Sequence, residues 1–211
     1  MTTDGLSRIS GRIREALEAA TAAREEALRQ CRATIQHASR AIRALHRGDF
    51  DDADALIAST ADHVAAIRDA LAGHPAQYYV GYVHDAQKEY AEAVLVRALI
   101  RGWPFVGHEV LGIEPAAYLN GLAEAGSEGR RYVLDRLRAG DISSADRVLG
   151  VMDDIYYELI SCDFPEAVTG GLRRTTDAFR AVLERTRGDL TLAVQMAPLH
   201  GPAVRGPDAS D

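Results

Sequence analysis

The 211-residue chain has only two cysteines, Cys31 and Cys162, far apart and with no His or Cys at ligand spacing around either. That pattern excludes a disulfide framework and a zinc site, and it fits a reducing cytoplasm. The seven histidines are scattered, with no pair at metal-ligand spacing and no Ser-His-Asp or Cys-His motif around them. The N-terminus, "MTTDGLSRISGRIREALEAATAAREE", is charged and lacks the apolar core of a signal peptide. No run approaches the ~18 uncharged apolar residues of a membrane helix. The most apolar run, "AVLVRALI" at 93–100, is short and carries Arg97. It reads as a buried helix segment, and no membrane partner is expected. A Walker loop is absent, and "GDFDDADA" lacks the length and terminal Glu of an EF-hand. The net charge is -7, so total charge gives no sign of nucleic acid; only its distribution can.

Strand patterning is also missing. No segment alternates apolar and polar residues, and Ala, Leu, Arg and Glu, all good helix formers, dominate. Gly and Pro cluster between long helical stretches. They predict six helices over 6–47, 51–72, 76–101, 115–139, 142–162 and 170–196. Asp49 and Asp141 stand at N-cap positions, Gly48 and Gly140 at left-handed C′ positions, and Pro104 and Pro165 follow helix ends. The expected architecture is all-α, an elongated bundle of about six antiparallel helices. One domain spans 1–197, and "PLHGPAVRGPDASD" at 198–211 is expected to be a disordered tail. Leu28, Cys31, Ile35, Ala38, Ile42 and Leu45 form a heptad seam on the first helix, which predicts a partner helix of similar length.

Two charged patterns can carry chemistry. Arg29, Arg32, Arg40, Arg43 and Arg47, with Gln36 in the gap, share one face of the first helix over about 27 Å. Such an array suits a phosphate backbone. It equally suits a solvated flank paired with acids elsewhere. The second pattern is acidic. "QKEYAEAV", residues 87–94, places Glu89 and Glu92 on one helix face, and "GVMDDIYYELI" does the same for Asp154 and Glu158. Asp154 and Glu158 lie next to the apolar stripe of Val148, Met152, Ile155 and Leu159, whereas Asp153 points towards water. Each pair alone is compatible with an exposed acidic face. Converging pairs would make a four-carboxylate cluster that only protons or a divalent cation can neutralise. All-oxygen ligands select Mg²⁺, Mn²⁺ or Ca²⁺. A di-iron bundle would want Glu-x-x-His, and neither Glu92 nor Glu158 has a histidine three residues on. "VTGGLRR" can hold an anion at a helix start or serve as a plain turn.

The C-terminal stretch is more specific. "LRRTTDAFRAVLERTRGDLTLAVQ", residues 172–195, resembles the last long helix of the translin family: an arginine pair, then Glu-(Lys/Arg)-Thr-Arg-Gly-Asp-(Val/Leu)-Thr. The matching run is Glu184, Arg185, Thr186, Arg187, Gly188, Asp189, Leu190 and Thr191. "QKEYAEAV" is similar to the family's Gln-Glu-Tyr-x-Glu-Ala segment. The resemblance implies an all-α subunit that assembles into a hollow homo-oligomer, usually an octamer, enclosing nucleic acid. One branch, translin, binds single-stranded DNA and RNA. The other, translin-associated factor X, adds Mg²⁺-dependent endoribonuclease activity through a Glu-x-x-Glu pair and an Asp-x-x-x-Glu pair. Glu89 and Glu92 match the first, and Asp154 and Glu158 the second. The expected function is therefore an endoribonuclease for single-stranded or partly unpaired RNA, with Mg²⁺ (Mn²⁺ as a substitute) on Glu89, Glu92, Asp154 and Glu158. The arginine stripe would grip the phosphates. A non-catalytic nucleic-acid-binding shell and a protein-binding helical scaffold are the alternatives.

Overall fold

A computed structural model describes residues 3–196, so the expected tail lies outside the described residues. The fold is all-α, with nine helices and no strand among the described residues. Six are long: α1 (Thr3–Arg47), α2 (Phe50–Ala70), α4 (Gly81–Arg101), α6 (Pro115–Arg138), α7 (Ile142–Ser161) and α9 (Leu172–Met196). Three single turns fill the connections: α3 (Pro75–Tyr78), α5 (His108–Leu111) and α8 (Glu166–Thr169). The third predicted helix is thus split, and α8 lies in the connection that precedes the sixth. Pro75 starts α3 on its fixed φ, and Val80 then turns extended before α4. At the other break, Gly170 and Gly171 both take positive φ (60° and 88°). "VTGG" is therefore the turn that reverses the chain from α8 into α9.

Gly48 (φ 82°) and Gly140 (φ 76°) take the left-handed conformation expected of them. The Asp141 carboxylate accepts from the Ser144 N–H and caps α7. Asp49 does not cap α2 through its side chain, because its carboxylate accepts from Arg47 Nε instead.

The helices lie in sequence across the bundle. Helix α1 packs on α2 and α4, α4 packs on α6, and α6 packs on α7 and α9. The seam on α1 is shorter than expected and has no partner of similar length among the described residues. Cys31, Ala38, Ile42 and Leu45 are buried, but Ile35 is exposed and Thr34 takes its place in the core. A helix of 3.6 residues per turn drifts off a strict heptad. The Thr34 hydroxyl stays satisfied by donating to the Gln30 carbonyl. Further towards the N-terminus, Leu6, Ile9, Ile13 and Leu17 form a row at helical spacing that is at least half exposed.

Helix α6 is the central plank, and its small residues set how closely the others approach. A methyl group at Gly121 would lie 2.7 Å from the Ala91 Cβ and 2.7 Å from the Lys88 carbonyl oxygen of α4. Gly126 does the same against the Phe179 ring of α9, at 2.5 Å. Buried Asn120, beside Gly121, donates to the Thr169 carbonyl and accepts from the Thr175 hydroxyl, tying α6 to α8 and α9. Buried Gln87 of α4 accepts from the Glu114 N–H at the start of α6.

The "ERTRGDLT" run of α9 has a structural role. Thr186 is fully buried, and Arg130 of α6 donates to its hydroxyl and pairs with Asp189 at 2.8 Å. Arg187 reaches Asp153 of α7. The motif is how α9 is fastened to α6 and α7.

Gly121→Ala should lower stability by about 1–3 kcal/mol, even though alanine favours helix by roughly 1 kcal/mol. Chemical denaturation of the two proteins tests this. An unchanged or raised midpoint would mean that the helices have room to spare.

Candidate metal centre

The closest approach of α4 and α6 is where their acids meet. Gly121, Glu124 and Glu128 recur on one face of α6 at intervals of three and four, and Lys88, Ala91 and Glu92 line the facing side of α4. Glu89, Glu92 and Glu124 each place a carboxylate oxygen within 4.8 Å of the other two. Glu92 is buried, with 9% of its surface exposed, while Glu89 and Glu124 are half-buried. Glu128 stands one turn beyond Glu124, and its carboxylate meets His46 Nε2 of α1 at 2.7 Å.

The electrostatics follow from that crowding. Burial pushes the Glu92 carboxyl up to about 8, and the neighbouring carboxylates of Glu124, Glu89 and Glu128 push the same way. Burial also raises Glu89. Glu128 is shifted the other way, held below the usual carboxylate range chiefly by its hydrogen bond with His46. A single ammonium enters the cluster. Lys88 Nζ lies 2.8 Å from Glu124 Oε1 and 3.6 Å from Glu89 Oε1.

Of the four acids expected from the sequence, the structure brings together Glu89 and Glu92 and leaves out Asp154 and Glu158. Both of the latter are exposed on α7 and belong to no three-carboxylate group among the described residues. The phase of α7 explains the difference. Its buried stripe faces α6, and the next flank, towards α9, is occupied by Asp153, which is half-buried against Arg187. Asp153 therefore takes the inward place expected of Asp154. The acid that joins Glu89 and Glu92 comes from α6 as Glu124, with Glu128 one turn beyond it. Its signal was present in "LAEAGSEGRR", two acids four apart in a helix rich in small residues.

All five stripe arginines are exposed on α1. Arg29 pairs with Glu26, and Arg47 reaches Asp49 at 2.8 Å and Asp52 at 3.9 Å. Among the described residues no carboxylate lies within ion-pair distance of Arg32, Arg40 or Arg43; Arg43 donates to the Ser39 hydroxyl. Arg40, Arg43 and Arg47 line a groove of about 280 Å³ whose fourth wall is Asp52. The stripe thus remains basic in its middle and is neutralised at its ends.

Since Glu92 binds its proton more tightly in the folded chain than the ordinary carboxyl value of 4.5 allows, its own contribution to stability is greatest below that value and falls as pH rises towards 8. In EDTA, the melting temperature should decline across this range, and Glu92→Gln should flatten the decline. A melting temperature that climbs over the same range, or an equal slope in the variant, would contradict this environment for Glu92.

No family model matches the chain. Among curated proteins, an uncharacterised protein of Methanocaldococcus jannaschii is 28% identical over 173 residues, covering 82% of this chain and 77% of that protein. Among solved structures, AfC3PO in complex with duplex RNA aligns with a TM-score of 0.82 and 34% identity, over 90% of this chain and 98% of that one. AfC3PO alone gives a TM-score of 0.82 and 33% identity over the same shares. Apo-NeC3PO shares the fold, with a TM-score of 0.78 at 18% identity, over 87% of this chain and 96% of that one. With a third of its residues identical to AfC3PO across nearly the whole of both chains, the protein belongs to the translin family.

Proposed function

We propose that the protein is a divalent-metal-dependent endoribonuclease of the translin-associated factor X type. The observation that carries this reading is the meeting of Glu89, Glu92 and Glu124, from two helices, within 4.8 Å of one another. The donor set is all oxygen and includes a buried carboxyl pushed up to about 8, so the cluster is short of positive charge. When all three carboxylates are ionised, the Lys88 ammonium offsets only part of their charge, and a divalent ion would supply more. Hard oxygen donors suit Mg²⁺, with Mn²⁺ as a substitute.

Glu89, Glu92 and Glu124 would hold the ion, and Glu128, fixed by His46, adds negative charge beside them. Once bound, a divalent ion stabilises charge on phosphoryl oxygens and lowers the pKa of a coordinated water. The chain's own contribution is to fix the carboxylates between two closely packed helices and to hold the RNA. The middle of the α1 stripe, Arg32, Arg40 and Arg43, would grip the phosphates by charge with little sequence preference. AfC3PO, at 34% identity, is described as a complex with duplex RNA, which supports RNA as the nucleic acid. Single-stranded or partly unpaired RNA remains our proposed substrate. The exposed row Leu6, Ile9, Ile13 and Leu17 supports assembly with further copies of the chain into an octameric shell.

A shell that binds RNA without cleaving it is the competing reading, and one observation favours it: Lys88 and His46 already partner three of the four acids, Glu89, Glu124 and Glu128. Cleavage of labelled single-stranded and duplex RNA, with and without EDTA, separates the two. Glu89→Ala should lower Mg²⁺-dependent cleavage by about 100-fold or more while light scattering shows the same assembly. Undiminished cleavage would reject the site. Independently, replacing Arg40 and Arg43 with Gln should reduce the slope of log affinity against log salt by about 2. An unaltered slope would remove the stripe from the interface.

A further inference from the structure

The chain has 24 Lys and Arg residues, and Lys88 is the only lysine among them. Among the described residues it is also the one cation paired with the acids of the cluster. Its ammonium lies 2.8 Å from Glu124 Oε1 and 3.6 Å from Glu89 Oε1, two of the three carboxylates that meet there. Its side chain is only 20% exposed. The choice of lysine at this one position has a physical meaning. An ammonium is a compact point charge, close in form to a small metal ion, and it fits between carboxylates that converge on a point. A planar guanidinium, which the chain uses at every other basic position, suits bidentate pairing at an open surface instead.

We propose that Lys88 is a built-in competitor for the metal. In the metal-free protein its ammonium occupies the carboxylate cage, and a divalent ion binds only by displacing it from Glu124 and Glu89. Two arguments lead there. First, an ion held by Glu89, Glu92 and Glu124 needs oxygen lone pairs that the ammonium now uses, and two cations so close together repel. Second, a cage without a cation leaves the repulsion among these carboxylates relieved only by protons. The close approach at Gly121 fixes the two helices that carry the carboxylates, so the acids stay near one another. A resident cation lets the chain fold without metal and lowers metal affinity at the same time. The site would then respond to the divalent-ion level rather than hold its ion permanently. Because the lysine is tethered, its effective concentration is constant, and the exchange depends on free metal alone.

The inference rests on the acid cluster being a metal site, and the test keeps the two claims apart. Mn²⁺ binding is measured by calorimetry for the wild type, Lys88→Gln and Glu92→Gln, with circular dichroism to confirm helical content. Lys88→Gln should bind Mn²⁺ about tenfold tighter or more than the wild type, and Glu92→Gln should lose binding. In parallel, the wild type is treated with an amine-acylating reagent, with and without Mg²⁺, and the Lys88 peptide is followed by mass spectrometry. Since Lys88 is the only lysine, the reading is unambiguous, and it stands even if Lys88→Gln fails to fold. Mg²⁺ should release the ammonium and speed its acylation severalfold. Equal or weaker Mn²⁺ binding by folded Lys88→Gln, or acylation unaffected by Mg²⁺ in a protein that binds the ion, would overturn the competition and leave the metal site standing. Absence of Glu92-dependent Mn²⁺ binding in the wild type and in Lys88→Gln alike would overturn both.

Discussion

The contact between α4 and α6 at Gly121 governs the chemistry of this molecule. With no side chain there, the α6 helix approaches until a methyl group would collide with the Ala91 Cβ and the Lys88 carbonyl. One turn along α6 from that contact stands Glu124, and facing it on α4 are Glu89 and Glu92. Packing that is favourable for the helices therefore forces like charges together. The cost is partly relieved by a retained proton on Glu92 and by the Lys88 ammonium. On our proposal a divalent cation would take over that role, removing repulsion that packing has fixed in place.

The surrounding structure keeps that contact rigid. Asn120 ties α6 to α8 and α9, and Gln87 of α4 holds the backbone at the start of α6. On the far side, Phe179 fills the space left by Gly126, and Arg130 grips Thr186 and Asp189 of α9. Helix α1 closes the other flank, where His46 holds Glu128. Its outer face bears the exposed arginines, so the helix that helps to fix the acids also carries the basic surface.

Much of this was legible in the sequence, and the misreadings have physical causes. The six long helices and most of their boundaries followed from Gly, Pro and helix-forming residues, because those signals act locally, while the three single turns did not. The glutamates of "QKEYAEAV" were found because helical spacing places them on one face. The structure sets Asp154 and Glu158 apart from them, because spacing within a helix does not say which neighbour that face meets. Asp153 and Asp154 are adjacent, and a rotation of one position decides which of them meets α9. Glu124 and Glu128 were overlooked because their value comes from Gly121, a residue whose role appears only once α4 is beside it. The "ERTRGDLT" run identified the family but serves to dock α9, so a specific sequence signature need not mark chemistry.

The most direct test of the central claim is anomalous diffraction at the manganese edge from crystals grown or soaked with Mn²⁺. The account predicts one strong peak bounded by the carboxylates of Glu89, Glu92 and Glu124, with Lys88 Nζ withdrawn from Glu124. A protein saturated with Mn²⁺ that shows no peak between α4 and α6, with Lys88 still bonded to Glu124, would contradict it.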